Sequence, residues 1–290
     1  VHAMVYKDSP PIPFVAAPPG IPAPQIRVKV GDVVIVHLTN SLAGESTSIH
    51  WHGIELDNES DGTAVAQDAI LPGQSFLYRF RVIRPGIFWY HPHMMPAQQD
   101  FAGMYGPLVI ESAVEQTLMG GLLPTDAQTH TIVLSDIDFD AGGNVGRDDL
   151  GGGLKTINQL IEECHLNIDG LPGGSGGSCG ITPADTVLVK GQKPNATVGA
   201  EAPKFVVASG QNIRLRLVNT AIGRYFRLQV VNNGTDNTLY RIGGEGGLLD
   251  HVRVEGGNDG TFDTGYSTGE IVLAPADRED VIIRPTGNDG

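Results

Sequence analysis

Apolar and polar residues alternate along much of the chain, in short stretches separated by glycine, proline and aspartate. A period of two is typical of β-strands that bury one face. Residues 75–82 give the clearest case, because Phe76, Tyr78 and Phe80 fall on one face and Arg79 and Arg81 on the other. This stretch predicts a half-buried antiparallel strand.

The same pattern recurs before and after that strand. Residues 25–40 predict two strands broken at Gly31-Asp32, with one face formed by Val28, Val30, Val34 and Val36. Further strands are predicted at residues 129–136, 186–192, 212–219, 225–231 and 269–284. The periodicity therefore favours an all-β protein.

Composition supports this fold class and suggests two domains. The 290 residues are 40% hydrophobic and 18% charged, with 39 glycines and 19 prolines, which suits many strands joined by turns. We expect a first domain at residues 1–112, a linker at 113–128 and a second domain at 129–290. The second domain carries a Gly-rich insertion at residues 141–183.

Charge and cysteine content limit the binding partners and the cellular location that we expect. The net charge of -14 argues against a nucleic-acid partner and against binding to anionic lipid. The sequence contains no run of about 20 apolar residues and therefore predicts no membrane-spanning helix. The two cysteines, Cys164 and Cys179, both lie in the insertion, and we expect a disulfide between them. An oxidising location, secreted or periplasmic, is the matching expectation.

Two His-x-His pairs are the main candidates for chemistry. They are His50-Trp51-His52 and His91-Pro92-His93. Residues two apart in a strand point to the same face, so two adjacent strands would offer four imidazoles to one place. Four imidazoles without a thiolate or carboxylate favour copper or zinc. One such pair could be a coincidence, whereas two pairs, each beside a tryptophan, predict a metal site.

These motifs resemble the first cupredoxin domain of the multicopper oxidases, the laccase group. The resemblance covers most of residues 20–111 and rests on residues 49–53, 61–62, 71–75, 89–93 and 103–110. Residues 214–219, 243–249 and 273–282 resemble the middle cupredoxin domain of three-domain laccase-like enzymes. The resemblance implies two tandem cupredoxin-like Greek-key β-sandwich domains.

It also implies roles for particular residues. His50 would bind a type 2 copper, and His52, His91 and His93 would bind a type 3 copper pair. Together these ions would form a trinuclear cluster that reduces O2 to water. Asp61, before Gly62, would stand near that cluster and relay protons, since the reaction consumes them. An ordinary Asp-Gly turn is the alternative for Asp61. The electron donor would be a phenol, an aromatic amine or a metal ion.

The resemblance further leads us to expect a partner for this chain. A third cupredoxin domain, or a separate chain, would supply four more histidines and the type 1 copper. A type 1 site needs a cysteine with two histidines, and no second histidine lies at usable spacing around Cys164-His165. A non-catalytic copper-binding cupredoxin protein is the main alternative. A zinc hydrolase is another, although His52-Gly53-Ile54-Glu55 lacks the additional histidine that such sites use.

Overall fold

A computed structural model describes residues 20–137, 186–194, 210–232, 235–236, 238–255 and 269–285. Its strands are β1 Ile26–Lys29, β2 Val33–Thr39, β3 His50–His52, β4 Ser75–Arg81, β5 Gly86–His91, β6 Gly106–Glu111, β7 Thr129–Ile137, β8 Thr186–Val189, β9 Ile213–Asn219, β10 Phe226–Gln229, β11 Val231–Asn232, β12 Thr235–Asp236, β13 Leu239–Gly244, β14 Gly247–Glu255, β15 Glu270–Leu273 and β16 Arg278–Ile283. The α-helices are single turns, α1 Pro96–Gln99 and α2 Glu115–Leu118, and Asn58–Ser60 and Asp126–Gln128 are 3-10 turns. The expected all-β class is confirmed.

The strands form two main groups in chain order. In the first half, β1-β6-β5-β3 form one sheet and β2-β4 a second. In the second half, β14-β13-β16-β9-β7-β8 form a six-stranded sheet, with β10-β15 and β11-β12 as separate pairs. The β1–β6 and β7–β9 pairs are parallel, and the other pairs are antiparallel. Each of these two parallel pairs joins strands that are not consecutive along the chain.

The first half is a sandwich whose core lies between its two sheets. Tyr78 and Phe80 of β4 point inward, as the alternation predicts, whereas Leu77 is 57% exposed. Trp51 of β3 is 1% exposed, and its ring centroid lies 4.8 Å from that of Phe80. Val30 differs from its prediction, because it follows β1 in the turn and is exposed. Aromatic packing therefore fixes the face that β3 turns toward the core.

The second half differs from its sequence prediction at two places. The predicted strand at 269–284 is divided into β15 and β16 by a turn at residues 274–277. In that turn the Ala274 N–H donates to the Asp277 carboxylate at 2.7 Å. The β13–β14 hairpin was not predicted, because its Gly-rich segment at 243–247 has the composition of a loop. Glycine instead permits the tight turn between the two strands.

The two halves pack against each other through apolar and charged contacts. Ile87, Trp89 and Val109 of the first half form one buried cluster with Val133 and Val218 of the second.

A buried ion-pair group also fixes α2, in the segment after β6, to the second half. Arg214 of β9 donates to the Asp280 carboxylate at 2.8 and 2.6 Å and to the Glu115 carboxylate of α2 at 2.8 Å. The side chains of these three residues are at most 8% exposed. Because both carboxylates face the same guanidinium, this buried charge is well compensated.

Some expectations concern residues beyond this description. The whole Gly-rich insertion at 141–183, including Cys164 and Cys179, lies outside the described residues. The predicted disulfide therefore stays a prediction. Within the described ranges, no helix has the length and apolar character needed to cross a membrane.

Candidate metal centre

The register of β3 and β5 brings the two histidine pairs together. His50 lies opposite His91, Trp51 opposite Tyr90, and His52 opposite Trp89. Since Trp51 and Tyr90 point into the core, the residues on either side of Trp51 point to the other face of the sheet. The strand pairing therefore places His50, His52 and His91 on one surface.

Ring positions show how closely the four imidazoles approach. One ring nitrogen from each of His50, His52 and His91 lies within 4.8 Å of the others. His52 Nδ1 is 3.3 Å from His91 Nε2. The His93 ring centroid lies 5.1 Å from that of His50 and 6.0 Å from that of His91. All four histidines singled out in the sequence thus share one site.

A turn that follows β3 orients His50. The carbonyl oxygen of Asp61 lies 2.7 Å from His50 Nδ1, and the Asp61 carboxylate oxygen Oδ1 lies 3.5 Å from the same nitrogen. Thr63 donates its hydroxyl to the other Asp61 carboxylate oxygen at 2.7 Å. With Nδ1 occupied in this way, His50 has Nε2 available for a ligand. The backbone carbonyl and the carboxylate of Asp61 therefore both lie beside the site.

Gly62 explains why this turn can lie so close to β3. Its φ is +79°, and a Cβ atom there would collide with the carbonyl group of Ile49 and lie 2.9 Å from the backbone nitrogen of His50. Only glycine tolerates both this backbone conformation and this close approach. The Asp-Gly pair is thus a turn packed directly against the histidine strand.

Asp100 is a neighbour of the site that the sequence analysis missed. Its carboxylate oxygen Oδ2 lies 3.0 Å from His91 Nδ1, and the carbonyl of Pro92 lies 2.9 Å from the same nitrogen. Asp100 caps the C-terminal end of α1, a single turn that the sequence did not predict. The segment after the second pair therefore folds back to fix the His91 ring with Nε2 facing the site.

Trp89 also orients the imidazoles. Its ring lies 4.2 Å from that of His91, at 18° between planes, and 4.9 Å from that of His52, at 25°. Trp89 is 4% exposed and packs on the second half of the chain. Stacking on a buried indole restricts rotation of both histidine rings.

Burial keeps these imidazoles uncharged. Desolvation, with additional repulsion from neighbouring cationic groups, lowers the pKa of His52 and that of His91 to about 3. Desolvation also lowers the pKa of His50. Neutral imidazole is the form that binds a metal ion. In the buried carboxyl group of Asp100, desolvation raises the pKa well above its ordinary value.

The donor set fits copper or zinc. Within the described part of the chain, His50, His52 and His91 are the one group of three or more candidate ligands close enough for a shared ion. The donors that converge are imidazole nitrogens, which suit copper and zinc better than magnesium or calcium. His52 offers Nδ1, whereas His50 and His91 offer Nε2, because their Nδ1 atoms already face oxygen atoms.

Fold and site together define a β-sandwich protein with an imidazole-rich candidate metal centre, and comparisons place it among known proteins. Residues 7–115 match the sequence profile of the multicopper oxidase family. The multicopper oxidase MmcO of Mycobacterium tuberculosis is 34% identical over 220 residues, which are 73% of this chain and 40% of that protein. An L-ascorbate oxidase of Nicotiana tabacum is 50% identical over 93 residues, 31% of this chain and 16% of that enzyme.

Solved structures agree with these sequence matches. The 2F4 variant of the McoA multicopper oxidase from Aquifex aeolicus superposes with a TM-score of 0.65 and 25% identity, covering 90% of this chain and 47% of that one. The chain belongs to the multicopper oxidase family, and its halves have the cupredoxin-like Greek-key fold expected of it. It spans less than half the length of each of these three proteins.

Proposed function

We propose that this chain is the N-terminal two-domain part of a laccase-like multicopper oxidase. In this function His50, His52, His91 and His93 supply half of the ligands of a trinuclear copper cluster. A third cupredoxin domain or a separate chain supplies the other half together with a type 1 copper. The observation that carries the proposal is the meeting of four imidazoles on the face of β3 and β5 that turns away from the sandwich core.

The proposed reaction couples four one-electron oxidations to the reduction of one O2 molecule. Four electrons and four protons convert O2 into two molecules of water. The copper ions, when bound, would collect these electrons and deliver them to O2. The protein residues would hold the ions and supply protons.

Each residue at the site has a proposed part in this reaction. His50 would bind the type 2 copper, and His52, His91 and His93 would bind the type 3 pair. Asp61 would pass protons from solvent, because its carboxylate is 30% exposed and lies beside His50. Asp100 and Trp89 would keep the imidazole rings in place.

Copper content and oxygen uptake test the proposal. The wild-type protein should bind copper in preference to zinc, and the double variant His50→Ala/His52→Ala should lose that copper. Together with the proposed third domain or chain, the wild type should consume O2 with a reducing substrate. A protein that binds zinc tightly but takes up no copper would contradict the proposal.

Asp61→Asn tests the proton relay separately from metal binding. The Asp61 carbonyl that faces His50 remains in this variant, so copper content should be unchanged. Loss of the carboxylate should slow O2 reduction by about 100-fold or more, the usual size of a general acid–base contribution. Full oxygen uptake by the variant across the pH range would instead assign Asp61 to the turn alone.

A non-catalytic copper-binding protein is the alternative function. It predicts copper bound at the same histidines without electron transfer to O2. The oxidase proposal is favoured because His93 adds a fourth imidazole, with its ring centroid 5.1 Å from that of His50, to the three that are close enough to share one ion. Copper stoichiometry and oxygen uptake, measured on the same preparation, distinguish the two functions.

The electron donor and the location are further parts of the proposal. We propose a phenol, an aromatic amine or a metal ion as donor, and ascorbate belongs in the same panel because one relative is named an L-ascorbate oxidase. Rates of O2 uptake with each donor would rank them. We also propose a secreted or periplasmic location, which cell fractionation of the source organism would test.

A further inference from the structure

Gly53, the residue after His52, is covered by a guanidinium group from the second half of the chain. The φ of Gly53 is +84°, in the left-handed region. A Cβ atom there would collide with Nη2 of Arg278 and lie 3.2 Å from the Phe88 ring. Arg278 therefore fills the space against the turn in which β3 ends.

Glu245 holds this guanidinium in one orientation. The backbone N–H and Nη1 of Arg278 both donate to the Glu245 carboxylate. Nη2 donates to the Glu245 carbonyl at 2.8 Å, and Nη1 donates to the Ala276 carbonyl at 3.0 Å. Three hydrogen bonds from the guanidinium and one from the backbone thus fix Arg278 while it contacts Gly53.

Stability alone does not account for an arginine at this interface. The Arg278 side chain is 2% exposed, while its carboxylate partner Glu245 is 52% exposed. Arg278 Nε has no hydrogen-bond partner among the described atoms. A buried ion pair is often no better for stability than apolar residues of similar size. Arg214, in contrast, lies between two buried carboxylates.

Arg84, which precedes a turn bound to the same hairpin, also contacts Gly53. Arg84 Nη2 lies 3.4 Å from the Gly53 carbonyl. The turn that follows Arg84 is fixed to the β13–β14 hairpin, because the Leu248 N–H donates to the Pro85 carbonyl at 3.0 Å. That hairpin carries Glu245 at its turn. Both contacts to Gly53 therefore depend on one segment of the second half.

We propose that Arg278, oriented by Glu245, is a positioning residue that fixes the backbone at Gly53 and thereby aims His52 Nδ1 into the metal centre. The second half of the chain would then do more than pack against the first, since its hairpin sets the direction of one ligand. The inference rests on the proposed function in taking His52 as a ligand, and it concerns ring position whether or not metal is bound.

The first measurement needs no metal. Imidazole nitrogen resonances of the 290-residue chain report the tautomer and surroundings of each ring. Arg278→Gln and Glu245→Gln should shift the His52 resonances and leave those of His93 in place. Arg278→Lys, which keeps the charge without the planar fork, should restore them in part. Arg227→Gln is the matched control, because Arg227 pairs with Glu270 in the same half but in the separate β10-β15 pair.

The second measurement is Cu(II) affinity with the paramagnetic resonance spectrum of the bound ion. Arg278→Gln should weaken binding by about 10-fold, a typical loss when a residue that orients a ligand is removed. The hyperfine splitting from the nitrogen atoms bound to Cu(II) should change in the same variant. Arg227→Gln should leave both the affinity and the spectrum unchanged.

The outcomes separate this inference from the proposed function. If folded Arg278→Gln and Glu245→Gln both keep the wild-type His52 resonances and copper affinity, the positioning role is wrong. If Arg278→Gln does not fold, the half-exposed Glu245→Gln decides the question alone. If the wild type binds no copper, the proposed function fails, and the metal-free resonances still decide whether Arg278 positions His52.

Discussion

The two faces of the β3–β5 strand pair have opposite properties although they share one backbone. On the core face, Trp51, Phe88 and Tyr90 are buried in the sandwich. On the other face, His50, His52 and His91 direct ring nitrogens toward one another. A shift of the pairing by one residue would exchange these faces. Burial of the aromatic face therefore fixes the register, and the register assembles the imidazoles.

The largest expected effect comes from breaking the core face. Trp51→Ala should lower the free energy of unfolding by about 3–5 kcal/mol, as for other large aromatic truncations in a core. Urea unfolding measures this change. Leu77→Ala is the control, since Leu77 is 57% exposed on β4, and it should change stability little. Equal losses in the two variants would contradict the assignment of the core face.

Gly62→Ala should have the next largest effect. Both Gly62 and Gly73 have φ near +80°, but a Cβ at Gly62 meets the Ile49 carbonyl, whereas at Gly73 nothing lies within 4 Å. Gly73→Ala should cost about 1–2 kcal/mol for the left-handed backbone alone. Gly62→Ala should cost about 3 kcal/mol because overpacking is added. Gly62→Ala should also displace His50. Equal stability of the two variants would show that β3 moves readily to accommodate the added Cβ.

Acidification should lower the free energy of unfolding of the metal-free chain, through the imidazoles on the histidine face of the β3–β5 pair. Burial lowers the pKa of His91 to about 3 from 6.5. Between these values the unfolded chain binds a proton that the folded chain does not. The stability from neutral His91 is therefore fully present above pH 6.5 and is lost as the pH falls toward 3.

One such histidine lowers the free energy of unfolding by up to about 1.4 kcal/mol for each pH unit of acidification. Urea unfolding at several pH values measures it, and His91→Gln should give a flatter profile. An unchanged profile in that variant would assign the acid sensitivity to other groups.

Removing an imidazole at neutral pH should change stability least. His52→Ala should alter the free energy of unfolding by no more than about 1 kcal/mol, since His52 is half-buried and faces away from the core. Copper affinity should nevertheless fall by more than about 100-fold, because a ligand and not merely its support is lost. Unfolding of this variant at neutral pH would mean that the two faces are not separable.

Strand periodicity predicted much of the fold, and its errors have local causes. The alternation of Phe76, Tyr78 and Phe80 identified β4 because one sandwich face is buried there. The hairpin at 239–255 was missed because glycines at its turn resemble a loop in composition. The valine periodicity also extended too far, since Val30 lies in the turn after β1.

At the site, the sequence indicated the histidines but not their supports. A spacing of two on neighbouring strands is enough to predict which side His50, His52 and His91 share. Asp100 could not be found in this way, because it reaches His91 only after the chain reverses through α1. Arg278 contacts the site from the other half of the chain, at a sequence distance that no local pattern spans.

β3 is the last strand of its sheet, and among the described residues it pairs with β5 alone. The positions of His50 and His52 relative to His91 therefore depend on a single ladder. Local opening of that ladder would separate the imidazoles before the rest of the first half unfolds.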